Sequence, residues 1–299
     1  MYRYPKDYLT ITQLIQKLEN SGMHISEINE AYTALSTIGY YRLKGYSFQW
    51  IDSSTLRYFP GTEFSNVLAL YRFDSELSHL IFEFLSQIEV SLRARLVNAL
   101  QCTSDPLILN DSSMFNIKAS FWKNMSNLSS EIERSTDVFI KHNFDNHDGA
   151  IPVWAAVEVS SFGTLSKILK NLKTVHNAPF SILIQDYRFS NGIHEVTPSH
   201  DMFTSWVQSL TVIRNICAHN GRIYNRAIST RPQLISTDIP VSTPRFYGAY
   251  QIILAMKYLR PSDHHWTLFV ARLKDLFTKY SGVFEFTRLN FPEDWESHL

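Results

Sequence analysis

The sequence predicts an all-α, mostly helical chain, and three observations carry that expectation. Apolar residues recur at helical spacing from Phe64 to about Leu100, where Leu77, Ile81, Phe84, Ile88, Leu92 and Leu96 form one stripe. Trp206, Leu210, Ile213 and Cys217 repeat the pattern at i, i+4, i+7 and i+11. No stretch alternates as a half-buried strand does, and there is no repeat period or low-complexity tract. With 299 residues and 44% hydrophobic content, the chain can bury a large core.

Taken in order, Thr10 and Gln13 are spaced as a capping box that opens a helix through Leu14, Ile15 and Leu18, and Gly22 ends it. A second short helix is expected from Ser26 through Ala31 and Leu35. In residues 38–50, IGYYRLKGYSFQW, aromatics neighbour Arg42 and Lys44, and a turn with a short strand or hairpin is expected. On the flank of the long stripe, Glu89 and Arg93 stand at i, i+4, the spacing of a surface salt bridge worth about 0.2–0.5 kcal/mol. A further helix is expected between Phe115 and Ile140, around Phe121, Trp122 and Leu128. The stretch 141–149, KHNFDNHDG, reads as a solvated loop, because its His142, Asp145, His147 and Asp148 fit no standard metal-ligand spacing. Pro152 starts a helix through Trp154 and Val157, which resumes after Ser161-Phe162-Gly163 with Leu165, Ile168, Leu169 and Leu172. Residues 174–200 read as a loop. After Arg231-Pro232, a Pro- and Ser-rich connection to about Pro244 leads into helices over Tyr247–Leu259 and Trp266–Tyr280, with His264-His265 as the start of the second. The expected organisation is an N-terminal extension over 1–62, a core over 63–231 and a C-terminal helical segment over 232–299 packed on it.

Composition excludes some functions. The 28 basic and 28 acidic residues give zero net charge, so there is no global basic field for non-specific nucleic-acid binding. Any such contact must come from a local patch. Cys102 and Cys217 make neither a disulfide scaffold nor a zinc site and suit a reducing cytosol. The N-terminus lacks the apolar core of a signal peptide, and no apolar run reaches the ~20 residues that span a bilayer. A cytoplasmic protein with no membrane partner is expected.

One segment departs from this neutrality. Met202 to Arg231 holds four Arg and no acidic residue. Within it, Arg214-Asn215 is followed by His219, Asn220 and Gly221. Cleaving RNA without a metal needs a base for the ribose 2′-OH, an acid for the leaving 5′-oxygen and a cation for the phosphate. Histidine serves as either acid or base near neutral pH. Arginine offers a permanent charge on a fork matched to phosphate oxygens, and Asn215 can orient either partner. On a straight helix, however, residues five apart are rotated by about 140°. Two compatible remedies exist: Asn220-Gly221 unwinds the last turn and releases His219, or two copies of the motif face each other across a two-fold axis. Taken alone, an Arg and a His near a helix C-terminus are far more often a capping cation and a histidine serving the helix dipole than a nuclease.

At these residues the chain resembles the HEPN superfamily, whose ribonucleases carry an Arg, four to six residues, then His. More widely it resembles the Abi family of bacterial abortive-infection proteins, the AbiD/AbiF-like group. The resemblance rests on LSTIGYYRLKGY at 35–46, FPGTEFSNVLALYRFDSELSHLI at 59–81 and IEVSLRARL at 88–96. It continues in Trp154, Glu158 and SFG at 161–163, in SWVQSLTVIRNICAHNGRIYNR at 205–226, and in NFPEDW at 290–295. It implies an all-helical HEPN-type bundle of bacterial origin, a role in phage defence, and cofactor-free RNA cleavage to 2′,3′-cyclic phosphate and 5′-hydroxyl ends. Arg214, His219 and Asn215 match the catalytic positions. The implied partners are RNA, as substrate or regulator, a second copy with its Arg-x4-His motif facing the first, and an antitoxin. Candidate RNA contacts are Arg222, Arg226 and Asn220, together with Tyr41, Arg42 and Lys44, where rings can stack on bases and cations meet phosphates. The alternative is a non-catalytic module that binds RNA or an antitoxin through the same residues. A third reading, a metal-dependent hydrolase, would use the 142–148 cluster or His264-His265.

Overall fold

The computed structural model describes residues 8–175, 178–190, 192–238 and 247–299. About two thirds of the chain is helical, and the only sheet among the described residues is a pair of two-residue strands. The chain divides into two compact units, one formed by the residues up to Leu77 with Lys274–Glu285, the other by Ser78–Leu273 with Phe286–Leu299.

In the first unit, α1 (Ile11–Asn20) opens on the expected capping box, with Thr10 and Gln13 satisfying each other's backbone N–H groups. It ends at Gly22, whose φ of +98° is open to glycine without strain. α2 (Ile28–Thr37) follows. The run at 38–50 corrects the expected strand or hairpin: it forms α3 (Tyr40–Ser47) and a short 3-10 turn at Phe48–Trp50. Leu43, Tyr46 and Ser47 are the buried positions, at i, i+3 and i+4. Helical spacing overrode the β-preference of the aromatics because the buried Tyr46 hydroxyl reaches Asp74 Oδ2 at 2.7 Å. The unit closes on Phe73, whose ring stacks on Phe284 at 4.2 Å.

The long periodic segment is α4 (Phe64–Leu100), with the bounds the stripe predicts. All six stripe residues are buried. Its portion beyond Leu77 belongs to the second unit, where α5 (Lys118–Arg134), α6 (Val138–Asn146), α7 (Val153–Val159) and α8 (Phe162–Asn171) follow. The expected loop at 141–149 is corrected: α6 runs through Asn146, anchored by the fully buried Ile140. The expected loop at 174–200 likewise contains α9 (Pro179–Leu183) and the antiparallel pair β1 (Phe189–Ser190) and β2 (Glu195–Val196). Phe180, Leu183 and Tyr187 are buried there at i, i+3 and i+7, but the segment is too short to stand out as a periodic one.

α10 (His200–Ala218) packs between α8 and α11 (Ala249–Tyr258). α11 is buried on nearly all sides, as its apolar circumference requires. Trp206 of α10 is fully buried; its indole N–H donates to the Gln233 carbonyl at 2.6 Å, and its ring meets Tyr258 at 4.8 Å. α12 (Asp263–Lys279) begins at the His264-His265 pair, and α13 (Trp295–His298) ends the chain. No helix among the described residues is long and apolar enough to cross a membrane.

Candidate active site

The end of α10 presents the Arg-Asn-His motif. Trp206, Leu210, Ile213 and Cys217 are buried as the stripe predicts, which turns Arg214 onto the border of the core with 34% of its side chain exposed. The helix stops where Asn220-Gly221 predicts, and the geometry is a Schellman motif. Asn220 N–H donates to the Cys217 carbonyl at 2.9 Å and Gly221 N–H to the Ile216 carbonyl at 2.7 Å. Asn220 takes the left-handed conformation, at φ +51°. Gly221 is needed for space: a Cβ there would lie 2.9 Å from Ile216 Cγ2 and 3.0 Å from its carbonyl oxygen. The chain then dives inward on Ile223 and Tyr224, both buried.

His219 is the helix cap residue. Its N–H still donates to the Asn215 carbonyl at 3.1 Å, so unwinding begins just after it rather than before. The ring is exposed and has no hydrogen-bond partner among the described residues. Asn215 links the pair: its carbonyl holds the His219 backbone, and its Oδ1 accepts from Arg214 Nη1 at 3.5 Å. The two functional side chains themselves are not brought into contact.

Arg214 rests on Glu89 of α4, Nε to Oε2 at 3.5 Å, with its guanidinium 5.9 Å from the Phe82 ring centroid. The same carboxylate accepts from Arg93 Nη2 at 2.6 Å, and that nitrogen also donates to the Ser160 carbonyl at 2.7 Å. The Glu89 and Arg93 side chains are only 8% and 15% exposed, so the pair expected on the surface is buried. Helix flanks become interior when neighbours cover more than one face, and Ser160 at the end of α7 and Arg214 of α10 do that here. Ser160 is itself held in place, because Glu131 of α5 accepts from the Ser161 N–H and from the hydroxyls of Ser161 and Thr164, at 2.7–3.0 Å. Two guanidinium groups thus share one buried carboxylate, and the cluster carries a net single positive charge beside the exposed His219. Sequence reasoning missed Glu89 and Arg93 as parts of the site. The available signal was their position one residue after Ile88 and Leu92, both of which are fully buried.

A family model described as Abi-like protein matches residues 33–225. The chain belongs to the Abi-like protein family. No curated protein and no solved structure matches the chain. The Abi-like match contains Glu89, Arg93, Ser160, Arg214, Asn215 and His219, and it ends one residue short of Arg226. The NFPEDW block lies outside it.

The remaining candidates fall into two groups. Arg222 and Arg226 are not one turn apart on a helix, because residues 221–231 are non-helical. Arg226 instead folds back, Nη1 to the Arg222 carbonyl at 3.4 Å, and sits near the Gly221 stop. Tyr41, Arg42 and Lys44 lie on α3 of the first unit. There Tyr41 is 79% exposed, and Lys44 Nζ stands 5.9 Å from the Tyr40 ring centroid.

Proposed function

We propose that this Abi-like protein is a HEPN-type, metal-independent endoribonuclease of a bacterial phage-defence or toxin–antitoxin system. The observation that carries the reading is the Arg214–Glu89–Arg93 cluster, which fixes a partly exposed guanidinium five residues before an exposed histidine at the helix stop. Glu89 engages Arg214 through Nε and Asn215 accepts from Nη1 at a long 3.5 Å, which leaves Nη2 for a phosphate, and the net positive charge of the cluster survives the pairing.

In the reaction, the ribose 2′-oxygen attacks phosphorus and the P–O5′ bond breaks. A base takes the 2′-OH proton and an acid supplies one to the 5′-oxygen, so no net proton is consumed. The products are a 2′,3′-cyclic phosphate and a 5′-hydroxyl. Arg214 stabilises the charge that builds on the phosphoryl oxygens, and His219 moves a proton. Each chain has one such histidine, and its ring stands apart from Arg214. A second copy, with its motif facing the first, supplies the complementary acid or base and makes the site composite.

The test compares wild type with His219→Ala on total bacterial RNA in EDTA, with product ends mapped. Cyclic-phosphate ends from wild type alone are expected, with His219→Ala folded and inactive, since an exposed side chain changes stability by less than about 0.5 kcal/mol. Wild-type cleavage rates in the variant would overturn the reading. RNA bound tightly by both and cut by neither would replace it with a binding module.

A further inference from the structure

A second charged feature lies at the opposite end of α10. A cavity of about 470 Å³ opens between the start of α5, the later turns of α8 and the first residue of α10, within the size range of small-ligand sites. Its lining includes Lys123, Lys167, Lys170 and His200, and no carboxylate. None of the three ammonium groups has an ion-pair partner among the described residues. Lys279, which pairs with Glu76 at 2.8 Å, and Lys257, which pairs with Asp238 at 3.5 Å, show the paired alternative. The exposed Asp201, next to the lining His200, has its Oδ1 3.2 Å from His200 Nδ1; His200 Nε2 meets the Lys170 carbonyl at 3.1 Å.

We propose that this cavity is a phosphate-binding site. Three exposed lysines border one space with no carboxylate in its lining, in a chain of zero net charge, and an anion seated there would be drawn by all three. The wall also includes Ile117 and Ser120 from the first turn of α5, a 17-residue helix whose N-cap residue, Ile117, offers no side-chain acceptor. The partial positive charge of that terminus adds to the lysines. A cation would find no anionic ligand in this lining. A phosphate, with several acceptor oxygens and at least one full charge, meets both the charge and the hydrogen-bonding demand.

The site does not reach the Arg214 cluster. His200 and His219 are separated by 19 residues of one helix and cap, or about 28 Å along the axis. The bound phosphate therefore belongs either to a nucleic-acid backbone several nucleotides from the reacting bond or to a free nucleotide. The first source rests on the ribonuclease reading; the phosphate site itself does not.

The experiment uses the full-length chain and the triple variant Lys123→Gln, Lys167→Gln, Lys170→Gln. Each is titrated with a fluorescent single-stranded 12-nucleotide DNA, which lacks the 2′-OH and cannot be cleaved, and separately with ATP. We expect the triple variant to bind at least about tenfold more weakly, with the slope of log K against log salt reduced by about two for the DNA, since three phosphate contacts are removed. Weakening on DNA assigns the site to a polynucleotide backbone; weakening on ATP alone assigns it to a free nucleotide. Unchanged affinity and salt slope for both ligands overturn the proposal. If the triple variant melts early, Lys170→Glu alone replaces it, with the same readouts. Because neither ligand is cut, the result stands whether or not His219 proves catalytic.

Discussion

Two glutamates on α4, six residues apart, show how little geometry alone says about an ion pair. Glu83 meets Arg272 in a bidentate fork, 2.6 and 2.8 Å, in the arrangement usually considered strong. Both side chains are about half exposed. Glu89 meets Arg93 through a single nitrogen and Arg214 at a longer 3.5 Å, yet it is almost wholly buried. Water can replace Arg272 around Glu83, whereas nothing can replace Glu89 between two guanidinium groups. The fork contributes about 0–1 kcal/mol, while removing one partner from a buried cluster costs about 3–5 kcal/mol. The weaker-looking contact is the one that holds the site.

The largest effect follows directly. Glu89→Ala should lower the free energy of unfolding by about 3–5 kcal/mol, because it leaves Arg93 buried without its counter-charge. Chemical denaturation measures this. A loss below about 1 kcal/mol would put Glu89 in the same class as Glu83 and collapse the contrast.

Between the extremes stands the helix stop that presents His219, which is held by shape rather than charge. Gly221→Ala drives a methyl group against Ile216 and should cost about 1–3 kcal/mol. Asn220→Gly, at a position already left-handed, should change stability by only a few tenths of a kcal/mol. Thermal melts of the two variants side by side give the comparison. Equal melting temperatures would mean that the stop tolerates a side chain at Gly221, contrary to the 2.9 Å approach.

The smallest effect is expected at the fork. Glu83→Ala should cost less than about 1 kcal/mol and lose even that in high salt. Arg272 donates to the carboxylate and so holds the Glu83 carboxyl below the ordinary carboxylate range. The pair's contribution is therefore full above the unfolded value, near 4.3, and fades as pH falls through the lowered one. Wild type and Glu83→Ala should accordingly converge in stability on acidification. A gap that persists in strong acid would show that packing, not charge, separates them.

The stripe on α4 and the stripe on α10 set both helices, since a period of 3.6 residues leaves one face that only burial satisfies. The Thr10–Gln13 box and the Asn220-Gly221 stop were legible because caps and left-handed ends are local chemistry, complete within six residues. The motif Arg214-Asn215-x3-His219 could be read for the same reason. Other features depended on partners far along the chain. The 38–50 run became a helix because Tyr46 found Asp74, and Glu89–Arg93 became interior because Ser160 and Arg214 covered it. Lys123 meets Lys167 and Lys170 around one cavity only because α5 lies beside α8. The sequence by itself determined where the helices run and which chemistry ends α10. Only the tertiary structure decided which charges leave water, because burial depends on neighbours that no local spacing encodes.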